Sequence, residues 1–272
     1  MDIMKNYKIS IVTIAYNCES VIEETIKSVI NQTYSNKEYI IIDGASKDGT
    51  LNVVKKYEGS IDYISSEPDK GIYDAMNKGI VHATGDFIIF MNAGDSFFSN
   101  NVLEEVVSQI EDDSIIVYGN IMIVAKRYRY MAEPAPLSEM SCHMTVFHPA
   151  TLTRLAYQKQ NLFDVSFRSS GDYNFFYSAA MKDKVKFQYI PVTMANFDCV
   201  DGTSNTNFKR SQRENLRIWN KEKDLLFRAK LEFRLSIIAF KMWVKKNLIS
   251  EKHADAAEMR RLHRLGRKII KE

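Results

Sequence analysis

Four short polar runs each follow an apolar run of strand length. They are Tyr16-Asn17, Asp43 to Asp48, Glu67 to Lys70 and Asn92 to Asp95. A further carboxylate, Asp172, opens a predicted helix over Tyr173 to Met181, after Ser169-Ser170-Gly171. Carboxylates are hard oxygen ligands for Mg²⁺ or Mn²⁺, accept N–H donors and, placed on a hydroxyl, take its proton. Lys70 adds a point charge suited to an anion.

For these residues to act together, the chain must bring them to one place. Lys8 to Ala15, Tyr39 to Ile42, Ile61 to Ser65 and Phe87 to Met91 read as strands. The unbroken apolar run Phe87 to Met91 predicts a strand covered on both faces, as in parallel sheets. Helices are predicted from Ser20 or Asn17 as cap to about Gln32, after Asp48-Gly49 to about Tyr57, and over Ile72 to Ile80. The last of these presents Ile72, Ala75, Met76, Gly79 and Ile80 on one face. Alternating strand and helix predicts a doubly wound α/β sheet, whose right-handed crossovers place the four polar loops at one edge. Ligands bind at that carboxyl edge. After Asp95 the pattern changes. Asn101 to Ile110 reads as a helix, Ser114 to Tyr118 as a strand and Ile121 to Met131 as antiparallel. Met144 to Phe147 reads as a strand, Ala150 to Ala156 as a short helix, Val185 to Ile190 as a strand and Asn196 to Asn207 as a loop.

The chain of 272 residues is long enough for one large domain with an appendage. Cys18, Cys142 and Cys199 are isolated, with no CxxC pair and no metal-ligand spacing, which predicts free thiols in a reducing cytoplasm. Met1 to Asn6 has no apolar core of a leader, and no run approaches the about 18 apolar residues that span a bilayer. Residues 207–272 hold 19 Lys/Arg against 8 Asp/Glu, so a basic tail follows an acidic body. Such a tail fits an anionic partner.

Ser10 to Asn17, Asp43-Gly44-Ala45-Ser46-Lys47-Asp48-Gly49-Thr50, Glu67 to Gly79 and Gly85-Asp86 through Asp95 together resemble the inverting family 2 glycosyltransferases of bacterial surface polysaccharide biosynthesis. The likeness covers about residues 8–205. It implies a GT-A-like (Rossmann-like), mostly parallel central sheet flanked by helices, with a basic helical C-terminal extension. The expected division is a transferase domain over 1–206, with a nucleotide-binding half at 1–98 and an acceptor half at 99–206, followed by the extension 207–272. Transfer of a sugar from a nucleotide-sugar, expected to be a UDP-sugar, is implied. Thr13, Tyr16, Asn17, Asp43, Asp69 and Lys70 are the implied nucleotide contacts. Asp74, Asn77, Asn92 and His143 are weaker candidates for donor sugar or acceptor, and Asp48 reads as a turn and cap. Asp95 is the implied metal ligand for Mg²⁺ or Mn²⁺. The family's usual DxD-type cluster is here Asn92-Ala93-Gly94-Asp95, with a single carboxylate. Asp172 is the implied general base, and Gly171 stands where some relatives carry a second acid. The acceptor is expected to be a saccharide or a polyprenyl-linked saccharide, at the inner face of the cytoplasmic membrane.

A nucleotidyltransferase is the alternative enzyme, although Tyr16-Asn17-Cys18-Glu19 lacks its glycine-rich, basic phosphate loop. A non-catalytic nucleotide-sugar-binding or scaffold protein is the alternative of another class. Cys142, His143 and His148 lack a fourth ligand and are not read as a metal site. Asp198, Asp201, Gly202, Thr203 and Ser204 read as a loop able to close over substrates. In the tail, Leu231, Leu235, Ile238 and Met242 recur at helical spacing beside a basic stripe of Lys230, Arg234, Lys241 and Lys245. That pattern fits either a peripheral membrane helix or a packing helix with a solvated basic face. No nucleic-acid-binding motif accompanies the charge, so no nucleic-acid partner is expected.

Overall fold

The computed structural model describes residues 5–125, 128–198, 208–248, 251–264, 267 and 269–271. The first half alternates as its pattern requires: β1 (Ile9–Ala15), α1 (Ile22–Ile30), β2 (Lys37–Asp43), α2 (Thr50–Lys55), β3 (Tyr63–Ser66), α3 (Ile72–His82) and β4 (Phe87–Phe90). These four strands pair in parallel in the order β4-β1-β2-β3. Period-two alternation divides their side chains. Ile9, Ile11, Tyr39, Ile41, Phe87 and Ile89 face one apolar cluster. Val12, Ile40, Ile42, Ile88 and Phe90 face the other. Both faces are therefore covered, which is why the strands read as continuous apolar runs.

The second half is mixed. After β5 (Ser96–Phe97) and α4 (Val102–Gln109) come β6 (Ile116–Ala125) and β7 (Tyr128–Ala132), an antiparallel pair. β8 (Thr151–Arg154) lies antiparallel between β4 and β6 and joins the two halves into one sheet. α5 (Leu155–Gln160) and α6 (Gly171–Tyr177) follow, and a π-helical turn at Ser178–Lys182 extends α6. β9 (Phe187–Asp198) then runs parallel to β6 and antiparallel to β5.

Three expectations are corrected here. Ala150 to Ala156 begins as a strand, because Thr151, Leu152 and Thr153 are buried between two strands. Met144 to Phe147 forms no strand. Neither Ser20 nor Asn17 caps α1, whose start at Val21 has no side-chain cap. The proposed closing loop at 201–204, and Cys199, lie outside the described residues.

Residues past 206 form α7 (Phe208–Ile218), α8 (Leu225–Leu248) and α9 (Glu251–Arg264), then a short β10 (Ile269–Lys271) that pairs antiparallel with β7. The extension is thus helical except at its end, where it returns to the sheet edge. Ile218 of α7 is buried within the second apolar cluster of the body. Among the described residues, no helix is long and apolar enough to cross a membrane.

Candidate active site

Three loops meet at the carboxyl ends of β1, β2 and β3. Asn17 occupies the left-handed region at φ +47°, which asparagine tolerates better than most residues. Its N–H donates to Ser46 Oγ, and its Oδ1 accepts from the Lys47 N–H, both at 2.8 Å. The Gly49 N–H donates to the Glu19 carboxylate (3.0 Å), and the Glu19 N–H donates to Asp48 (3.2 Å). Asp48 also accepts from the Thr50 N–H at 3.0 Å, the turn its sequence suggested. Ala45 is left-handed as well, at φ +59°, which costs a non-glycine residue about 1 kcal/mol. Backbone strain is thus stored in the loop that faces the ligand edge.

A Cβ added to Gly44 would lie 2.9 Å from Asp69 Oδ2 and 3.2 Å from the Tyr16 ring. Tyr16, Gly44 and Asp69 therefore form one surface, and Tyr16 is 63% exposed upon it. Asp69 is held by a 2.6 Å ion pair with Lys78, which also pairs with Glu67 at 2.9 Å. Lys70 is exposed. Its N–H donates to the Asp74 carboxylate at 2.9 Å, so Asp74 closes the first turn of α3.

Several candidates have their polar atoms engaged elsewhere. Thr13 is fully buried; its hydroxyl donates to the Met91 carbonyl (2.7 Å) and pairs with the Tyr39 hydroxyl (3.0 Å). It stitches β1 to its neighbours and offers a nucleotide no surface. Asp43 is fully buried too. Its carboxylate accepts from the Ser46 N–H (2.9 Å) and from the Ser46 and Ser66 hydroxyls. It holds the loop after β2 from beneath. Both ends of the Asn77 amide are bound to the Phe163 backbone at 2.9 Å, joining α3 to the segment that leads into α6. His143 is exposed and lies 3.6 Å from Glu139.

After β4 the chain turns through Gly94 at φ +101°, a region that favours glycine. Thr25 pins this turn: its hydroxyl donates to the Asp95 carbonyl (2.7 Å) and accepts from the Gly94 N–H (3.1 Å). Asn92 Oδ1 is buried with no hydrogen-bond partner. An unmet buried acceptor is costly, and an oxygen so placed beside Asp95 in sequence is a donor suited to a hard divalent cation. Among the described residues, no three His, Cys, Asp or Glu side chains cluster as a metal site. Asn92 and Asp95 fit a cation that takes its remaining ligands from elsewhere, such as a diphosphate.

Asp172 lies at the start of α6. Its Oδ1 accepts from the Tyr73 hydroxyl (3.0 Å) and from the Tyr173 N–H (2.9 Å), while its Oδ2 has no protein donor among the described residues. Burial, reinforced by the Asp172 charge, pushes the Tyr73 hydroxyl far above its ordinary pKa, so it stays a donor. A Cβ on Gly171 would lie 2.8 Å from the Tyr73 ring. The lack of a side chain at Gly171 therefore leaves room for Tyr73 to reach the carboxylate. His148, stacked on Phe90 at 5.3 Å, is held neutral by burial, which outweighs the opposing Asp172 charge.

The support for Asp172 comes from far along the chain. Glu214 of α7 accepts the N–H groups of Arg168, Ser169 and Ser170, each at 2.9 Å, at the entrance to α6. Trp219 Nε1 donates to the Tyr173 hydroxyl at 2.8 Å, and that hydroxyl donates to the Met140 carbonyl at 2.8 Å. The Arg168 guanidinium donates to the Lys70 carbonyl, bridging the loop after β3 to the loop before Asp172. Sequence reasoning missed Tyr73, Arg168, Glu214 and Trp219. Only Tyr73 left a signal. It is buried on the helical face of Met76 and Ile80, whereas Ile72, assigned there, is 37% exposed.

An open α/β sheet with polar loops gathered at the carboxyl ends of its strands binds ligands at that edge, and the chain's relatives show which class of enzyme it is. The chain belongs to glycosyl transferase family 2, whose sequence profile matches residues 10–171. It is 26% identical over 247 residues to a PGL/p-HBAD biosynthesis glycosyltransferase of Mycobacterium tuberculosis, covering 87% of this chain and 91% of that one. A putative glycosyltransferase of Bacillus subtilis, EpsE, is 30% identical over 161 residues, 54% of this chain and 58% of its own. Its fold matches S. aureus TarS 1–349 in complex with UDP, with TM-score 0.60 and 20% identity over 76% of this chain. This chain spans only 63% of that TarS chain. It also matches the Pyrobaculum calidifontis mannosyltransferase PcManGT in complex with GDP-Man and Mn²⁺, with TM-score 0.63 and 14% identity, over 95% of this chain and 81% of that one. The GT-A fold and the glycosyltransferase class follow, and the nucleotidyltransferase alternative falls.

Proposed function

We propose that the protein is an inverting glycosyltransferase that moves a sugar from a UDP-sugar to a hydroxyl of a lipid-carried saccharide, with Asp172 as general base. The observation that carries this is the asymmetry of Asp172: Oδ1 is fixed by Tyr73 and Tyr173, and Oδ2 is without a protein donor among the described residues. A carboxylate held in this way is oriented to take a proton with its other oxygen. The TarS complex with UDP supports the choice of donor nucleotide, while the PcManGT complex shows that the same fold holds GDP-Man in a neighbour.

Tyr16, Gly44 and Asp69 form the cleft for the nucleoside, with Asn17 and Asp43 holding its walls. Lys70 meets the diphosphate. The acceptor oxygen attacks C1 of the donor sugar, its proton passes to Asp172 Oδ2, and the bond from C1 to the diphosphate oxygen breaks. The nucleoside diphosphate leaves with that electron pair, and the configuration at C1 is inverted. Asn92 and Asp95 would hold Mg²⁺ or Mn²⁺, whose charge offsets the negative charge of the leaving diphosphate. Such a reaction belongs to the cytoplasmic side of a membrane, where nucleotide-sugars and lipid carriers meet.

Turnover of a UDP-sugar, read as transfer or as donor hydrolysis, tests the assignment. Asp172→Asn keeps the shape and removes the base, and should lower turnover by about 10²–10⁴-fold. Turnover at the wild-type rate in that variant would contradict the mechanism. A thermal-shift panel of UDP, GDP, CDP and dTDP with and without Mn²⁺ tests the donor. A metal-dependent shift with UDP alone is expected.

A further inference from the structure

Helix α8 carries two apolar faces, and among the described residues one of them is buried against the rest of the protein. Leu231 and Leu235 are buried against Leu216 and Trp219. This is the stripe that helical spacing offered to a membrane, and the fold has turned it inward. Half a turn away, at 3.6 residues per turn, a second stripe points outward. It comprises Leu226 (66% exposed), Phe233 (71%), Ile237 (40%) and Phe240 (64%). Phe240 and Trp243 stack in parallel at 6.3 Å, with Trp243 also exposed.

Charge identifies what fits this stripe. Lys230, Arg234 and Lys241 are exposed along one border of it. Glu232 is the sole acid within Leu225–Leu248. It is drawn to the body by Arg213, with bonds of 2.8 and 3.0 Å. The outward face therefore combines aromatic and aliphatic side chains with positive charge only. Self-pairing of this face with a second copy would set its positive border against itself, whereas an anionic lipid surface supplies an opposite charge along its whole length.

The helix is also fixed in place. Asp224 caps its start, accepting the Phe227 N–H at 2.9 Å. α7 ties it to α6 through Glu214 and Trp219, and β10 returns the chain to the sheet. We propose that the outward stripe of α8 docks the protein on an anionic bilayer, with Leu226, Phe233, Ile237 and Phe240 entering the headgroup region. The contact chain α8–Trp219–Tyr173–Asp172 then fixes the catalytic base relative to the membrane that carries the acceptor. The purpose assigned to this face rests on the lipid-carried acceptor proposed above; its existence does not.

Vesicle flotation of the full chain tests it, using phosphatidylcholine vesicles with and without phosphatidylglycerol. The wild type should float with the anionic vesicles only. Phe233→Ser with Phe240→Ser should weaken flotation by about tenfold or more without lowering the melting temperature, since both side chains are exposed. Lys230→Glu with Arg234→Glu and Lys241→Glu should abolish the response to phosphatidylglycerol. No flotation of the wild type, or equal flotation of all variants, overturns the proposal. So does a concentration-dependent dimer that the Phe233/Phe240 variant dissolves while lipid binding is absent. Nucleotide thermal shifts on the same samples separate the two readings. A chain that floats but ignores nucleotides sinks only the function, and one that turns over donor but does not float sinks only the docking face.

Discussion

The two sides of the site are built in different ways. On the donor side, the loops after β1, β2 and β3 support one another: Asn17 with Ser46 and Lys47, Glu19 with Asp48 and Gly49, and Asp43 with Ser46 and Ser66. Every one of these partners lies in the first three parallel strands or in the loops that follow them. On the acceptor side, the loop before Asp172 is held by Glu214, which lies 44 to 46 residues further along the chain. The proposed donor cleft is thus built mainly within one local unit, and the position of the proposed base depends on how the C-terminal helices return to that unit.

The difference can be broken deliberately. Glu214→Ala leaves three N–H groups at the entrance to α6 without their acceptor and frees the Asp172 loop. Because a misplacement of about 1 Å costs on the order of 10²-fold, turnover should fall by about that factor while the UDP-induced thermal shift stays unchanged. Loss of both together would show that the two sides are not separable. Gly171→Ala should act on the same side with a smaller effect, about tenfold in kcat by analogy with such misplacement. Its methyl group must displace the Tyr73 ring from 2.8 Å and so loosens Asp172. A Gly171→Ala enzyme with wild-type kcat would remove Tyr73 from the account.

Gly44→Ala tests the donor side. The added methyl meets Asp69 and Tyr16, and its expected cost of about 1–2 kcal/mol in overpacking should raise the donor KM by about tenfold with kcat nearly unchanged. A fall in kcat alone would place Gly44 with the base instead.

The last effect is on stability, not turnover, and falls outside both sides. Glu38 accepts from Lys8 (2.7 Å), Ser10 and Thr84 (2.6 Å) beneath the sheet. Burial raises its pKa, but these donors outweigh that and hold the carboxylate down at about 2. A depressed folded pKa contributes stability that is present above the ordinary value of 4.5 and lost as pH falls toward about 2. Glu38→Gln should therefore cost about 1–3 kcal/mol at neutral pH and flatten the loss of stability across that acid range. Unchanged denaturation midpoints would contradict this.

The same comparison explains what could be read beforehand. The first strands, their helices and the convergence of the loops were legible because each rests on local periodicity and turn chemistry. Thr13 and Asp43 were assigned to the nucleotide by the resemblance. Both side chains are fully buried, because apolar clusters cover both faces of these strands, and a motif does not show how deeply a strand-end side chain is covered. Glu214 and Trp219 were not legible, because no local pattern links α7 to the base loop. In the tail, the strongest apolar spacing picked out Leu231 and Leu235, the face the protein keeps for itself. Spacing alone does not say which of two apolar faces remains exposed.

The most direct test of the account measures binding and chemistry in one variant. The UDP-induced thermal shift with Mn²⁺ should be the same in Asp172→Asn as in the wild type, while UDP-sugar turnover in that variant falls by about 10²–10⁴-fold. Turnover that persists, or a nucleotide shift that disappears with it, would contradict an independent donor cleft served by a single catalytic carboxylate.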